Sequence, residues 1–217
     1  MAGFKTHVTV STVLGVGYGA TGYLVFGMSP SSSILAAGLC GVSGMLPDID
    51  SDSGIPLRES IAFASAVVPM LLLERLRQLG LEHETIVLIA AAIYLTIRFG
   101  VAELIKRYTV HRGMWHSIPA CAIAGLLAYL LCTGKSEEVR VYKSLGVVLG
   151  FMSHLLLDEL YSVDLRGMRL KRSFGTAVKF WSKSRWANFS TYGKLAVVGS
   201  LLFGDPLMNS YLEQRHG

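Results

Sequence analysis

With 217 residues, 52% hydrophobic and 16% charged, and a mean hydropathy of +0.48, the chain lacks the solvated groups needed to cover a water-soluble globule; such domains carry about 25% charge. Its apolar residues come in long blocks rather than alternating faces, which marks lipid as the solvent, and a net charge of +5 favours anionic surfaces as partners. Cys40, Cys121 and Cys132 are odd in number, lie inside apolar runs and form no CxxC pair, which argues against a disulfide framework or a thiolate zinc site and leaves them as core packing.

A membrane crossing takes about 20 apolar residues, with a range of roughly 17–25. Only Lys5 precedes the first run and no small-residue cleavage site follows it, so that run reads as a retained helix. In chain order the spacing predicts helices near 8–28, 31–46, 61–79, 85–105, 117–133 and 143–160, then a weaker apolar segment near 193–204. The second run is short and rich in Gly and Ser, consistent with a tilted or re-entrant helix packed closely on its neighbours. The expected fold is all-α, an integral membrane helical bundle of about six transmembrane helices plus a short C-terminal helical segment. Residues 1–160 form the transmembrane domain and 161–217 a basic cytoplasmic segment with a short helix, part of the same domain. Several runs are near the lower length limit, so the competing reading is a large soluble all-α core.

Alternating helices put the N-terminus, 47–60, 106–116 and 161–192 on one side, with 29–30, 80–84 and 134–142 on the other. The first side holds twelve basic residues and the second five, namely Arg75, Arg77, Lys135, Arg140 and Lys143. The positive-inside rule places the first side in the cytoplasm. Seven of the twelve fall in 165–186, interleaved with Phe174, Phe180, Trp181 and Trp186. Such a mixture beside a membrane end reads as headgroup contact, with an acidic regulatory protein or nucleic acid as the minority partner.

Four polar motifs interrupt the apolar chain, and the same alternation brings all of them to the cytoplasmic end. They are His7, Pro47-Asp48-Ile49-Asp50-Ser51-Asp52, His111-Arg112-Gly113-Met114-Trp115-His116-Ser117, and Ser153-His154-Leu155-Leu156-Leu157-Asp158-Glu159. His154 and Asp158 stand i and i+4, neighbours on one helix face about 5–6 Å apart at their Cβ atoms. Asp48 and Asp50 sit in a turn after Pro47, where they could bridge two metals or hold one from opposite edges. The break at Gly113, with Ser117 as N-cap and Pro119 in the first turn, puts His111 and His116 in a loop able to fold over a metal. Imidazole with carboxylate suits zinc, manganese or iron. Each residue also has a plainer reading: His7 as an interfacial helix-end residue, Asp158 as a helix-end carboxylate, and the two aspartates as a helix-terminating turn. Asp48, Asp50, Asp52 and Glu59 match positions of a calcium loop, but Ser53 stands where that loop needs Gly and Pro56 lies inside it, which argues against that reading.

On these residues the chain resembles the YdjM-type family of bacterial inner-membrane-associated metal-dependent hydrolases, also described as LexA-binding. The matching pieces are Thr6-His7, Pro47-Asp48-Ile49-Asp50, His111 to Ser117, and Ser153 to Asp158, in order along the chain. Trp115 departs from the family's usual Thr, and nothing after 160 carries a matching motif. The resemblance implies an all-helical membrane protein with a metal-dependent hydrolase-like site, without naming its substrate.

The expected function is a membrane-embedded metal-dependent hydrolase in the bacterial inner membrane, multi-pass, with its site facing the cytoplasm. It would act on phosphoester bonds of a phospholipid or another membrane-proximal substrate. One or two divalent ions, zinc or manganese foremost, would be held by His7, Asp48, Asp50, His111, His116, His154 and Asp158 and would activate water. Arg112 and Ser117 would contact the phosphate, and Asp52, His116 or Glu159 would move the proton. The alternative is a non-enzymatic membrane regulatory or binding protein with a structural metal. A transporter ranks last, because the opposite half of the bundle offers few polar groups.

Overall fold

Seven α-helices run back and forth between two ends in a computed structural model, which describes residues 3–50, 55–101, 103–104, 114–132, 136–164, 169–170, 175 and 177–205. They are α1 (Phe4–Leu24), α2 (Pro30–Ser43), α3 (Ile55–Gln78), α4 (His83–Leu95), α5 (Ile118–Leu131), α6 (Glu137–Leu160) and α7 (Arg185–Phe203). A 3-10 turn, Leu46–Asp50, follows α2, and a π-helical stretch, Thr96–Val101, extends α4. Val163–Asp164 pairs antiparallel with Arg169–Leu170, the one extended pairing among the described residues.

The helix starts follow from local chemistry. The Ser29 hydroxyl accepts from the Ser32 amide ahead of Pro30, and the Ser117 hydroxyl accepts from the Ala120 amide ahead of Pro119. Both pair a capping side chain with a proline that has no amide to satisfy. Ser184 caps α7 in the same way by accepting from the Ala187 amide. That cap shows why the weak segment expected at 193–204 is a 19-residue helix starting at Arg185. Its first two turns are polar and aromatic, so a search for apolar runs passes over them. The starts of α3 and α6 come earlier than expected for the same reason.

In the row α1–α2–α6–α5–α7 each helix packs on the next, α1 also meets α6, and the α3–α4 pair joins through the 3-10 turn. Small residues bring the first three helices close. A methyl on Gly15 would strike the Ala37 carbonyl, and one on Gly19 would stand 2.7 Å from the Ser33 carbonyl oxygen. Tyr18 and Tyr142 stack at 4.2 Å, and each hydroxyl donates to the other's backbone carbonyl, fastening α1 to α6. Leu39, Ala128, Cys132 and Val147 form one buried cluster and Ala120, Cys121, Phe151 and Leu155 another, so the cysteines are free and buried in or beside the core, as expected. The tightest approach is at Gly150, where a methyl would collide with the Cys40 carbonyl and the Ser43 hydroxyl. Gly150→Ala is therefore expected to push α2 off α6 and lower stability by about 1–3 kcal/mol, measured as the thermal midpoint in detergent.

Large apolar side chains on every helix face outward, from Leu24 (76% exposed) on α1 through Ile34, Met70, Leu88, Leu127 and Leu145 to Phe203 (80%) on α7. So continuous an apolar exterior is unstable in water and suits lipid. Among the described residues two helical stretches, His83–Val101 and Glu137–Leu160, are long and apolar enough to cross a membrane. α2 and α5, at 14 residues each, reach about 21 Å, short of the roughly 30 Å hydrocarbon layer.

Arg140, in the first turn of α6, is fully buried. It donates to both Asp205 carboxylate oxygens at 3.1 Å, to Glu137 at 3.3 Å, and to the carbonyls of Cys132 and Tyr129. Arg75 reaches Asp205 at 2.6 Å, and the Tyr129 hydroxyl donates to Glu137. The ends of α3, α5 and α7 thus meet the start of α6. This corrects the expectation that this half of the bundle is poor in polar groups: Arg140, expected in the loop 134–142, and Lys143, expected at a helix start, both lie within α6 and are buried.

Candidate metal centre

At the opposite end of α6, four segments deliver imidazoles and carboxylates to one place. His7 lies on the first turns of α1 and Asp48 on the 3-10 turn after α2, while His116 sits just before the Ser117 cap of α5. His154 and Asp158 occupy consecutive turns at the end of α6, facing the same way as their spacing predicts. The Ile118 amide donates to the Lys179 carbonyl at 3.0 Å, drawing the segment before α7 against this end.

His7 Nε2 lies 3.2 Å from Asp158 Oδ1, and His116 Nε2 lies 3.2 Å from Asp48 Oδ1. Asp158 Oδ2 is 3.9 Å from His116 Nε2 and 3.7 Å from His154 Nε2, which in turn is 3.5 Å from Asp48 Oδ1. The His7 ring stacks on His154 at 3.6 Å, and the His116 ring meets His154 edge-on at 5.4 Å. All three histidines and Asp158 are buried, and Asp48 keeps about a fifth of its side chain exposed (21%). Burial alone would push the Asp48 carboxyl up, but the neighbouring imidazoles, foremost His116 through its hydrogen bond, override it and hold the group well below the usual carboxylate range.

The tautomer of His154 is set by its surroundings. Its Nδ1 stands 2.7 Å from the Gly44 carbonyl oxygen, which only accepts, so Nδ1 carries the proton. In the neutral ring Nε2 then presents a lone pair, buried and without a hydrogen-bond partner, toward the oxygens of Asp48 and Asp158. Lone pairs converging in a buried pocket repel one another unless a cation stands between them. A divalent ion with bonds of 2.0–2.1 Å sets tetrahedral donors about 3.3 Å apart, near the spacings seen here. Two triads, His7–His154–Asp158 and Asp48–His116–His154, each gather their donor atoms within 4.8 Å of one another, with His154 common to both. The residues present fit a divalent cation, and imidazole with carboxylate suits zinc or manganese.

Of the other expected site residues, Ser117 is fully buried, donating to the Met114 carbonyl while capping α5. Glu159 accepts from the Gly175 amide at 2.5 Å, and its second oxygen is buried without a partner. Asp52, His111 and Arg112, and the Asp50 side chain, lie outside the described residues.

Sequence spacing does not foresee the stacking of His7 on His154 or the grip of His7 on one oxygen of Asp158 while the other faces His116 and His154. That arrangement holds the carboxylate's orientation. His7→Ala is expected to weaken metal binding about 10–100-fold, read by competition with a chelating dye at constant pH.

Residues 1–203 match the YdjM inner membrane protein family. No curated protein and no solved structure matches the chain.

Proposed function

The chain belongs to the YdjM inner membrane protein family, and on that premise we propose that it is a membrane-embedded, metal-dependent hydrolase acting on phosphoester bonds at the cytoplasmic face of the inner membrane. The observation that carries this reading is the buried, unpartnered Nε2 of His154 aimed between two carboxylates. A divalent ion bound there would supply Lewis acidity toward a phosphoryl oxygen and lower the pKa of a coordinated water. The chain's own contribution is to hold the donors fixed: the Gly44 carbonyl orients His154, and the pairs His7–Asp158 and His116–Asp48 hold one another in place. The exposed edge of Asp48 offers the way in for a substrate, and a lipid headgroup lies at that depth.

Multi-pass insertion draws support from the apolar exterior and from the helices' alternation between two polar ends. The twelve-to-five excess of basic residues toward the metal-centre end supports a cytoplasmic orientation. The burial of four of the five donors favours a second reading, a structural metal in a non-enzymatic membrane protein. The two separate on one experiment. Protein purified in detergent is assayed for bound metal and for turnover of phospholipids and of a generic phosphodiester, alongside Asp48→Ala and His154→Ala. Hydrolysis is expected to be lost in both variants and on chelation. Metal that both substitutions strip, with no turnover by the wild type on any substrate, establishes the structural reading instead.

A further inference from the structure

From residue 165 to 204 the chain carries eight basic residues, Arg166, Arg169, Lys171, Arg172, Lys179, Lys183, Arg185 and Lys194, and no acidic one. Seven precede or begin α7. The eighth, Lys194, is different: it is exposed in the middle of a helix whose neighbours Val197, Leu201 and Phe203 are exposed and apolar. An ammonium on a lipid-facing helix is costly and calls for a partner.

Lys194 lines a groove of about 400 Å³ along α7, together with Trp186, Phe189, Ser190, Gly193 and Val197. Gly193 opens the notch, since a side chain there would meet nothing within 4 Å. Trp186 and Phe189, both mostly exposed, form its rim toward the metal-centre end. Helical side chains lean toward the N-terminus of their helix, so the lysine stem runs along the groove toward Ser190 and Trp186. The ammonium thereby reaches the depth of the headgroups, beside the aromatic pair that usually occupies that level.

We infer that this groove is a binding site for one anionic glycerophospholipid of the leaflet at the metal-centre end. Its phosphate meets Lys194 beside the Trp186 and Phe189 rim, and an acyl chain lies over Gly193 and Val197. The opposing charge comes from the lipid, because among residues 165–204 the chain supplies none. The inference rests on the membrane reading above and is independent of hydrolysis.

Native mass spectrometry of the purified full-length protein tests it, with dioleoylphosphatidylglycerol and dioleoylphosphatidylcholine added separately and bound metal measured on the same samples. The wild type is expected to retain one phosphatidylglycerol in preference to phosphatidylcholine. Lys194→Gln should lower that retention about fivefold, the value of one lysine near an anionic surface, while Lys194→Arg keeps it. Gly193→Leu, which fills the notch without touching the core, should lower retention of phosphatidylglycerol with all charges in place. Unchanged metal in these variants separates the lipid site from the metal centre. Equal retention of the two lipids, or wild-type retention by Lys194→Gln or Gly193→Leu, overturns the inference.

Discussion

His154→Ala is expected to leave the purified protein without its metal, binding it more than about 100-fold more weakly than the wild type. Loss of a partner that merely orients a ligand costs about 10–100-fold, and His154 is the donor common to both triads. Its removal also leaves Asp48 and Asp158 facing one another without the nitrogen between them. Metal content by inductively coupled plasma mass spectrometry, on protein purified without chelator, reads the effect, with circular dichroism confirming that the helices persist. Wild-type metal content in this variant would remove the basis of the site.

Arg140→Met should act on stability and spare the metal. Arg140 is held by five hydrogen bonds, and its removal takes two of them from the buried Asp205, leaving that carboxylate to Arg75, and one from Glu137. Breaking a buried ion pair by taking one partner costs about 3–5 kcal/mol, which lowers the thermal midpoint by about 10 °C in a chain of this size. Adding Asp205→Asn to Arg140→Met should recover part of the loss by removing a buried charge that has lost two of its hydrogen bonds. Arg140 and His154 are 14 residues apart on one helix, about 21 Å, so metal content should remain at the wild-type level. A loss of metal equal to the loss of stability would show that the two ends are coupled.

The two polar ends differ in how far the sequence announces them. Asp48, His116, His154 and Asp158 stand out because each is an ionisable group beside a long apolar run, and counting helix reversals is enough to bring them together. What that count does not reach is side-chain detail: the stacking of His7 on His154, or the Gly44 carbonyl that sets the tautomer. Those depend on the close approach of α2 and α6 at Gly150, a contact between residues distant in the chain. The Arg140 cluster was hidden for another reason. Arg75, Arg140 and Asp205 lie in the flanks of apolar runs, where a charged residue reads as a solvated loop, and only the meeting of three helix ends shows that they neutralise one another. The first turns of α7 escaped because their aromatic and basic composition belongs to an interface rather than to a hydrocarbon core.

The reliance of Arg140 on Asp205 bears on how the chain is made. Synthesis runs from the N-terminus, so α6 is laid down with its guanidinium matched only by Glu137, and the second carboxylate emerges 65 residues later, after α7. Until then the nascent protein carries an incompletely neutralised cation at the bundle's edge. A chain that stops before residue 205 therefore lacks the carboxylate that takes two of the five Arg140 hydrogen bonds.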